Sequence, residues 1–127
     1  PSPEDLGRVL FYVGNCLKEL DRFEEAIDAL RRAVLADPDD LPNHNLLGFC
    51  YYKTKRHEEA VRCFLRAIEI DPGSAIDWAN LGSNLRDLGK TDEASSMYEK
   101  ALALDPSIEF ERTSLAKLKK QRGTAVD

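Results

Sequence analysis

Two histidines and three cysteines are the side chains whose types could carry chemistry in this chain: His44, His57, Cys16, Cys50 and Cys63. Imidazole and thiolate groups bind zinc or act in nucleophilic catalysis, but both roles need partner residues at defined spacings, such as C-x-x-C or H-E-x-x-H. Neither spacing occurs. The sequence therefore predicts no metal, no cofactor and no catalytic residue. The cysteines are expected to pack as small hydrophobic side chains, with a Cys50 to Cys63 bridge as the alternative.

Motifs that cradle phosphate groups or carry a nucleophilic serine are also absent, because the glycines stand singly. The chain has 127 residues, the size of one domain, and its net charge of −5 argues against a nucleic-acid-binding protein. It contains no apolar run of the length that spans a membrane. Without a secretory leader or paired cysteines, the sequence predicts a non-catalytic protein of the cytoplasm.

A period of 34 residues organises the chain and must position whatever the protein binds. The dipeptides Asp37-Pro38, Asp71-Pro72 and Asp105-Pro106 recur at this spacing. The same spacing relates further small or acidic residues: Gly14, Gly48 and Gly82; Glu25, Glu59 and Glu93; Ala26, Ala60 and Ala94; Ala33, Ala67 and Ala101. The period predicts three copies of one structural unit, spanning 7–40, 41–74 and 75–108.

Each copy predicts two helices that are separated by a turn and ended by Asp-Pro, because proline cannot continue a helix. In the third copy Gly89 breaks the first pattern, and Thr91 is the expected N-cap of the second helix. The small residues Gly82 and Ala94 indicate that the paired helices approach closely. We therefore expect seven helices and no strand, near 3–20, 22–36, 42–54, 57–70, 75–88, 91–104 and 107–122, the last one capping the stack.

One set of residues in each copy resembles the signature of the tetratricopeptide repeat family. In the third copy these are Trp78, Leu81, Gly82, Leu85, Ala94, Tyr98, Ala101 and Pro106. The second copy has His44, Leu47, Gly48, Tyr51, Ala60, Phe64, Ala67 and Pro72, and the first has Leu10, Val13, Gly14, Leu17, Ala26, Leu30, Ala33 and Pro38. The resemblance implies an all-α protein, a right-handed solenoid of antiparallel helix pairs, forming a single domain over 1–127.

The resemblance also implies a concave groove, lined by the first helix of each pair, that binds a peptide or a helix of a partner protein. The matching positions are Arg8, Phe11, Tyr12, Asn15, Lys18, Asn45, Leu46, Phe49, Tyr52, Lys53, Ile76, Asn80, Ser83, Arg86, Phe110 and Lys117. Basic side chains outnumber acidic ones in these columns, so the expected partner is acidic, with apolar anchors for the aromatic side chains. The alternative is that the lysines and arginines only solvate the surface.

One subset of the family holds the C-terminal carboxylates of heat-shock chaperones with lysine, asparagine and arginine side chains. At those positions this chain has Phe11, Asn15, Leu46, Ile76 and Asn80, of which only Asn15 matches. The resemblance therefore does not predict a receptor for chaperone tails.

The predicted function is a non-catalytic interaction scaffold. One alternative is a substrate-targeting segment of a larger enzyme, for which Asn15, Asn45 and Asn80 would form a groove ladder. The other is a self-assembling module, a homo-oligomer in which the end of one stack enters the next.

Overall fold

The computed structural model describes residues 2–108, and all regular secondary structure in that range is α-helical. It contains α1 (Pro3–Glu19), α2 (Phe23–Ala36), α3 (Leu41–Lys53), α4 (His57–Ile70), α5 (Ala75–Asp87) and α6 (Thr91–Leu104). The sequence predicted every one of these helices to within one residue at each end. The predicted capping helix 107–122 lies outside the described residues except for its first two, and those two are not helical.

The chain divides into two compact units, Pro1–Asp71 and Pro72–Asp127. The first contains α1 to α4, and the second contains α5 and α6. In the first unit α1 packs on α2, α2 on α3 and α3 on α4, while α5 packs on α6 in the second. The arrangement of three repeats within one domain stays a prediction.

Glycine brings the two helices of each pair into close contact. A β-carbon built on Gly14 would lie 2.6 Å from the Leu30 side chain, and one on Gly48 would lie 2.8 Å from the Phe64 ring. Gly7 faces Asp37 in the same way, so α1 and α2 run antiparallel. The distances at Gly14 and Gly48 confirm the close approach that the small residues predicted, because a β-carbon at such a separation would force its neighbour to shift.

Among the six described helices, only α1 has an N-terminus capped by a side chain. Ser2 caps α1, since its hydroxyl accepts a hydrogen bond from the backbone N–H of Asp5 at 3.1 Å, and Pro3 follows as the first helical residue. The prediction for α6 was wrong in detail: Lys90 is the cap residue, Thr91 is already helical, and no side chain caps the helix.

His44 has a structural role that Trp78 fills in the third copy. The His44 ring Nε2 lies 2.7 Å from the carbonyl oxygen of Pro38, and the Trp78 indole N–H donates to the carbonyl of Pro72 at 2.9 Å. Each ring therefore forms a hydrogen bond with the carbonyl oxygen of the proline that follows the preceding helix. His44 is 7% exposed. Both observations agree with a packed histidine that satisfies a backbone acceptor.

Candidate peptide-binding groove

Phe49, one of the predicted groove residues of the first unit, lies between two lysine side chains. The Phe49 ring is 38% exposed. The Lys18 ammonium lies 5.6 Å from its centroid, and the Lys53 ammonium lies 5.8 Å from it. The ring of Phe23 packs beside it, with 6.5 Å between the two centroids. We call these four residues the aromatic–lysine cluster.

Three helices position this cluster. Lys18 lies in the last turn of α1 and Phe23 is the first residue of α2, while Phe49 and Lys53 are four residues apart on α3 and so share one face. Lys18 forms an ion pair with the exposed Glu19 at 2.9 Å. Among the described residues Lys53 has no ion pair. The cluster therefore presents positive charge around an accessible apolar ring.

A cleft of about 320 Å³ lies near the other end of α1 and α3. We call it the acidic cleft, because three carboxylates and one guanidinium line it. Its walls are Glu4, Arg8, Phe11, Tyr12, Asp37, Asp40 and Pro42. Arg8 lies 3.7 Å from the carboxylate of Asp5. At this end the structure therefore places acidic side chains, which lie outside the predicted groove positions, beside Arg8, Phe11 and Tyr12.

The remaining predicted residues of the first unit lie at different depths. Tyr12 is 60% exposed, whereas Asn15, Asn45 and Leu46 are half-buried. Tyr52 is also half-buried, and its ring meets the His57 ring edge-on at 5.7 Å, at the turn between α3 and α4. Tyr52 thus contributes to packing at the turn. From the sequence, this packing role could not be distinguished from a role in binding.

Four of the predicted residues lie on α5, and two of them contact the hydroxyl of Tyr98 on α6. The hydroxyl of Ser83, which is buried, shares a hydrogen bond of 2.9 Å with the hydroxyl of Tyr98. Arg86 donates to the same Tyr98 hydroxyl at 3.3 Å and to Asp87 at 3.1 Å. The placement of Ser83 on a free groove surface is therefore corrected, whereas the side chain of Arg86 remains 30% exposed. Ile76 is exposed and Asn80 half-buried. The predicted groove residues Phe110 and Lys117 lie outside the described residues.

The three cysteines are free thiols, and their environments differ. Burial raises the pKa of Cys50 to about 11, against a smaller lowering by the charge of Lys18, and it raises the pKa of Cys63 to about 12. Both pack as hydrophobic side chains, as predicted. Cys16 is exposed, which corrects the expectation for that residue.

Within residues 2–108 no three His, Cys, Asp or Glu side chains gather closely enough to hold a metal ion. None of the helices in this range combines the length and the apolar character needed to cross a bilayer.

A family model described as Tetratricopeptide repeat matches residues 40–107, more than half of the chain. The chain belongs to the tetratricopeptide repeat family. A second model, described as Anaphase-promoting complex, cyclosome, subunit 3, matches residues 2–67. No curated protein matches the sequence significantly.

Solved structures of tetratricopeptide repeat (TPR) domains are similar to this chain. The second TPR domain of human RPAP3, in complex with the HSP70 peptide SGPTIEEVD, is 27% identical with a TM-score of 0.88, covering 93% of this chain and 98% of that one. The first TPR of Spaghetti (RPAP3), bound to the HSP90 peptide SRMEEVD, is 22% identical with a TM-score of 0.91, at 94% and 95% coverage. The Arabidopsis OM64 TPR domain is 16% identical with a TM-score of 0.90, at 94% and 98% coverage. The predicted all-α TPR solenoid class is confirmed.

Proposed function

We propose that this TPR protein is a non-catalytic scaffold that binds a peptide of a partner protein along α1 and α3. The observation that carries the proposal is the exposed ring of Phe49, held between the ammonium groups of Lys18 and Lys53. The ligand places an apolar side chain against the ring and a carboxylate between the two lysines.

The chemistry of the aromatic–lysine cluster suits such a ligand. Aromatic rings that stay accessible in a groove are frequent anchors of binding energy. Two ammonium groups near one ring attract a carboxylate, and the apolar contact excludes water, which strengthens that attraction. Lys18 reaches the ring from α1 and Lys53 from α3, so the packing of these two helices brings both ammonium groups to one site.

The solved neighbours support a peptide ligand with acidic and apolar residues. The human RPAP3 domain binds a peptide that ends in EEVD, which combines carboxylates with valine. This chain has Phe11 and Leu46 where the chaperone-binding subset of the family has polar clamp residues, and both are half-buried. We therefore propose an acidic partner that is distinct from chaperone tails.

A panel of fluorescein-labelled ten-residue peptides, each with Leu or Phe beside one or two Glu, tests the proposal by fluorescence anisotropy. We expect the binding peptides to lose affinity in Phe49→Ala and in Lys18→Gln with Lys53→Gln. Their affinity should also fall at high salt, which screens exposed charges. The matched control is Arg32→Gln with Arg62→Gln, which removes the same charge from exposed positions on α2 and α4. Unchanged affinity in both groove variants would contradict the proposal.

A second function, self-association, is favoured by an apolar stripe on α1. The stripe consists of Leu6, Val9 and Val13 of α1 and the residue that caps its C-terminus, Leu20, which are 42%, 59%, 44% and 64% exposed. Apolar side chains at helical spacing on an uncovered face mark an interaction surface.

The corresponding residues of the next repeat show which kind of surface would cover this stripe. Val9 and Val13 correspond to Asn43 and Leu47 on α3, which are only 1% and 5% exposed. Asn43 donates to the carbonyl of Ala33, so that face of α3 lies against α2. We propose that a second copy of the chain covers the stripe. Sedimentation velocity over a concentration series should show association that Val9→Glu with Val13→Glu removes, and a wild type that stays monomeric would contradict it.

A further inference from the structure

The two ends of the groove in the first unit carry charges of opposite sign. Glu4, Asp37 and Asp40 line the acidic cleft, and none of these carboxylates forms an ion pair among the described residues. Arg8 is the one cation that lines the cleft, and it already pairs with Asp5. The cleft therefore retains negative charge, while the aromatic–lysine cluster carries positive charge.

Aromatic side chains give the cleft more than charge. The rings of Phe11 and Tyr12 meet edge-on, with 5.7 Å between their centroids, and Tyr12 is 60% exposed. Such a wall favours a long basic side chain, whose methylene stem packs on the rings and whose charged group lies over them or reaches the carboxylates. Pro42 adds a further apolar surface.

We infer that the acidic cleft binds a lysine or arginine side chain of the same peptide whose acidic residue lies at the aromatic–lysine cluster. This inference rests on the proposed function and specifies its ligand: an extended segment of mixed charge. Because the two ends of the groove differ in sign, a given ligand lies in only one direction.

The helix geometry sets the spacing of the two charges in the ligand. Arg8, in the cleft, and Lys18, in the cluster, are separated by ten residues of α1, which correspond to about 15 Å along the helix axis. An extended chain advances about 3.3 Å per residue and covers this distance in roughly four to five residues. The basic and acidic residues of the ligand should therefore be four or five positions apart.

The first experiment extends the tightest peptide of the panel with one arginine. Three versions place the arginine two, five or ten residues from the glutamate, and a fourth carries glutamine at the five-residue position. We expect the five-residue arginine peptide to bind about tenfold more tightly than the glutamine version, the change that roughly one charge-assisted contact supplies. A best separation of ten would indicate a helical ligand and overturn the extended one.

The second experiment changes the cleft. Asp40 precedes α3 as its cap residue but makes no side-chain hydrogen bond there, and Asp37 follows α2, so asparagine fits both positions. In Asp37→Asn with Asp40→Asn, the arginine peptide should bind no better than the glutamine peptide. The control, Asp28→Asn with Glu58→Gln, makes the same change of charge at exposed sites on α2 and α4 and should keep the difference. Should circular dichroism show that the double variant unfolds, Glu4→Gln replaces it.

The outcomes separate this inference from the proposed function. Equal binding of the arginine and glutamine peptides to the wild type would overturn the basic subsite and leave the acidic anchor in place. A difference that survives in the cleft variants would also overturn it. If no peptide of the original panel binds, the proposed function fails and the inference fails with it.

Discussion

At the scale of single residues, burial separates three thiols that have the same chemistry. Cys50 and Cys63 are buried, and burial raises the pKa of each well above the ordinary value for a thiol. Thiolate is the reactive form, so both should be inert in the folded protein. We expect Ellman's reagent at pH 8 to modify Cys16 rapidly and the other two only in urea. If two thiols reacted rapidly in the native protein, one of the buried cysteines would be exposed by frequent local opening of its helix.

The contact between Gly48 and Phe64 allows a direct measurement of close packing. A methyl group at position 48 would meet the Phe64 ring at 2.8 Å, so Gly48→Ala should lower the free energy of unfolding by about 1–3 kcal/mol. Urea denaturation measures the change. In a double-mutant cycle with Phe64→Ala, the penalty of the methyl group should shrink, because the clashing ring is gone. A penalty that persists without the ring would place its cause elsewhere.

At the scale of the helix pair, the turn between the two helices uses a left-handed residue in every copy. Asp21, Lys55 and Gly89 occupy the same position of the repeat, with φ of 57°, 61° and 83°. This conformation costs a residue with a β-carbon about 1–2 kcal/mol, whereas glycine adopts it freely. Lys55 is therefore the most strained of the three, because aspartate tolerates the left-handed conformation better than lysine does.

Lys55→Gly should raise the free energy of unfolding by up to about 1 kcal/mol, since it relieves this strain at some cost in chain entropy. Gly89→Ala should lower it, although nothing lies within 4 Å of the added methyl group. Glu58→Gly, on the exposed side of α4, serves as the control and should destabilise. Urea midpoints of the three variants test the prediction, and a stabilising Gly89→Ala would contradict it.

The elements also show what the sequence could predict. Helix boundaries followed from the Asp-Pro pairs and from the turn residues, because both are local signals. The acidic cleft did not follow, since Asp37 and Asp40 lie between helices and join Arg8 only through the antiparallel pairing of α1 with α2. The sequence places Ser83 in the groove from its position along the helix. That position alone does not reveal that the hydroxyl forms a hydrogen bond with Tyr98.

At the scale of the whole molecule, the period of 34 residues was sufficient for the family and the fold class. Net charge was a poor guide to the groove, because −5 over the chain hides a positive cluster and a negative cleft within one unit. Only the folded arrangement separates the two. Which partner binds depends on this local separation of positive and negative charge, and the net charge of the whole chain does not show it.

The uncovered stripe on α1 also affects how the molecule opens. A helix that packs on one side buries less apolar surface, so its local unfolding costs less than that of a helix packed on both sides. The backbone amides of α1 should therefore exchange with deuterium sooner than those of α3, with Leu10 less protected than Leu47. Hydrogen exchange followed by mass spectrometry checks this order, and equal protection would show that both helices open as one unit. If a second copy covers the stripe, protection of α1 should rise with protein concentration while that of α3 stays constant.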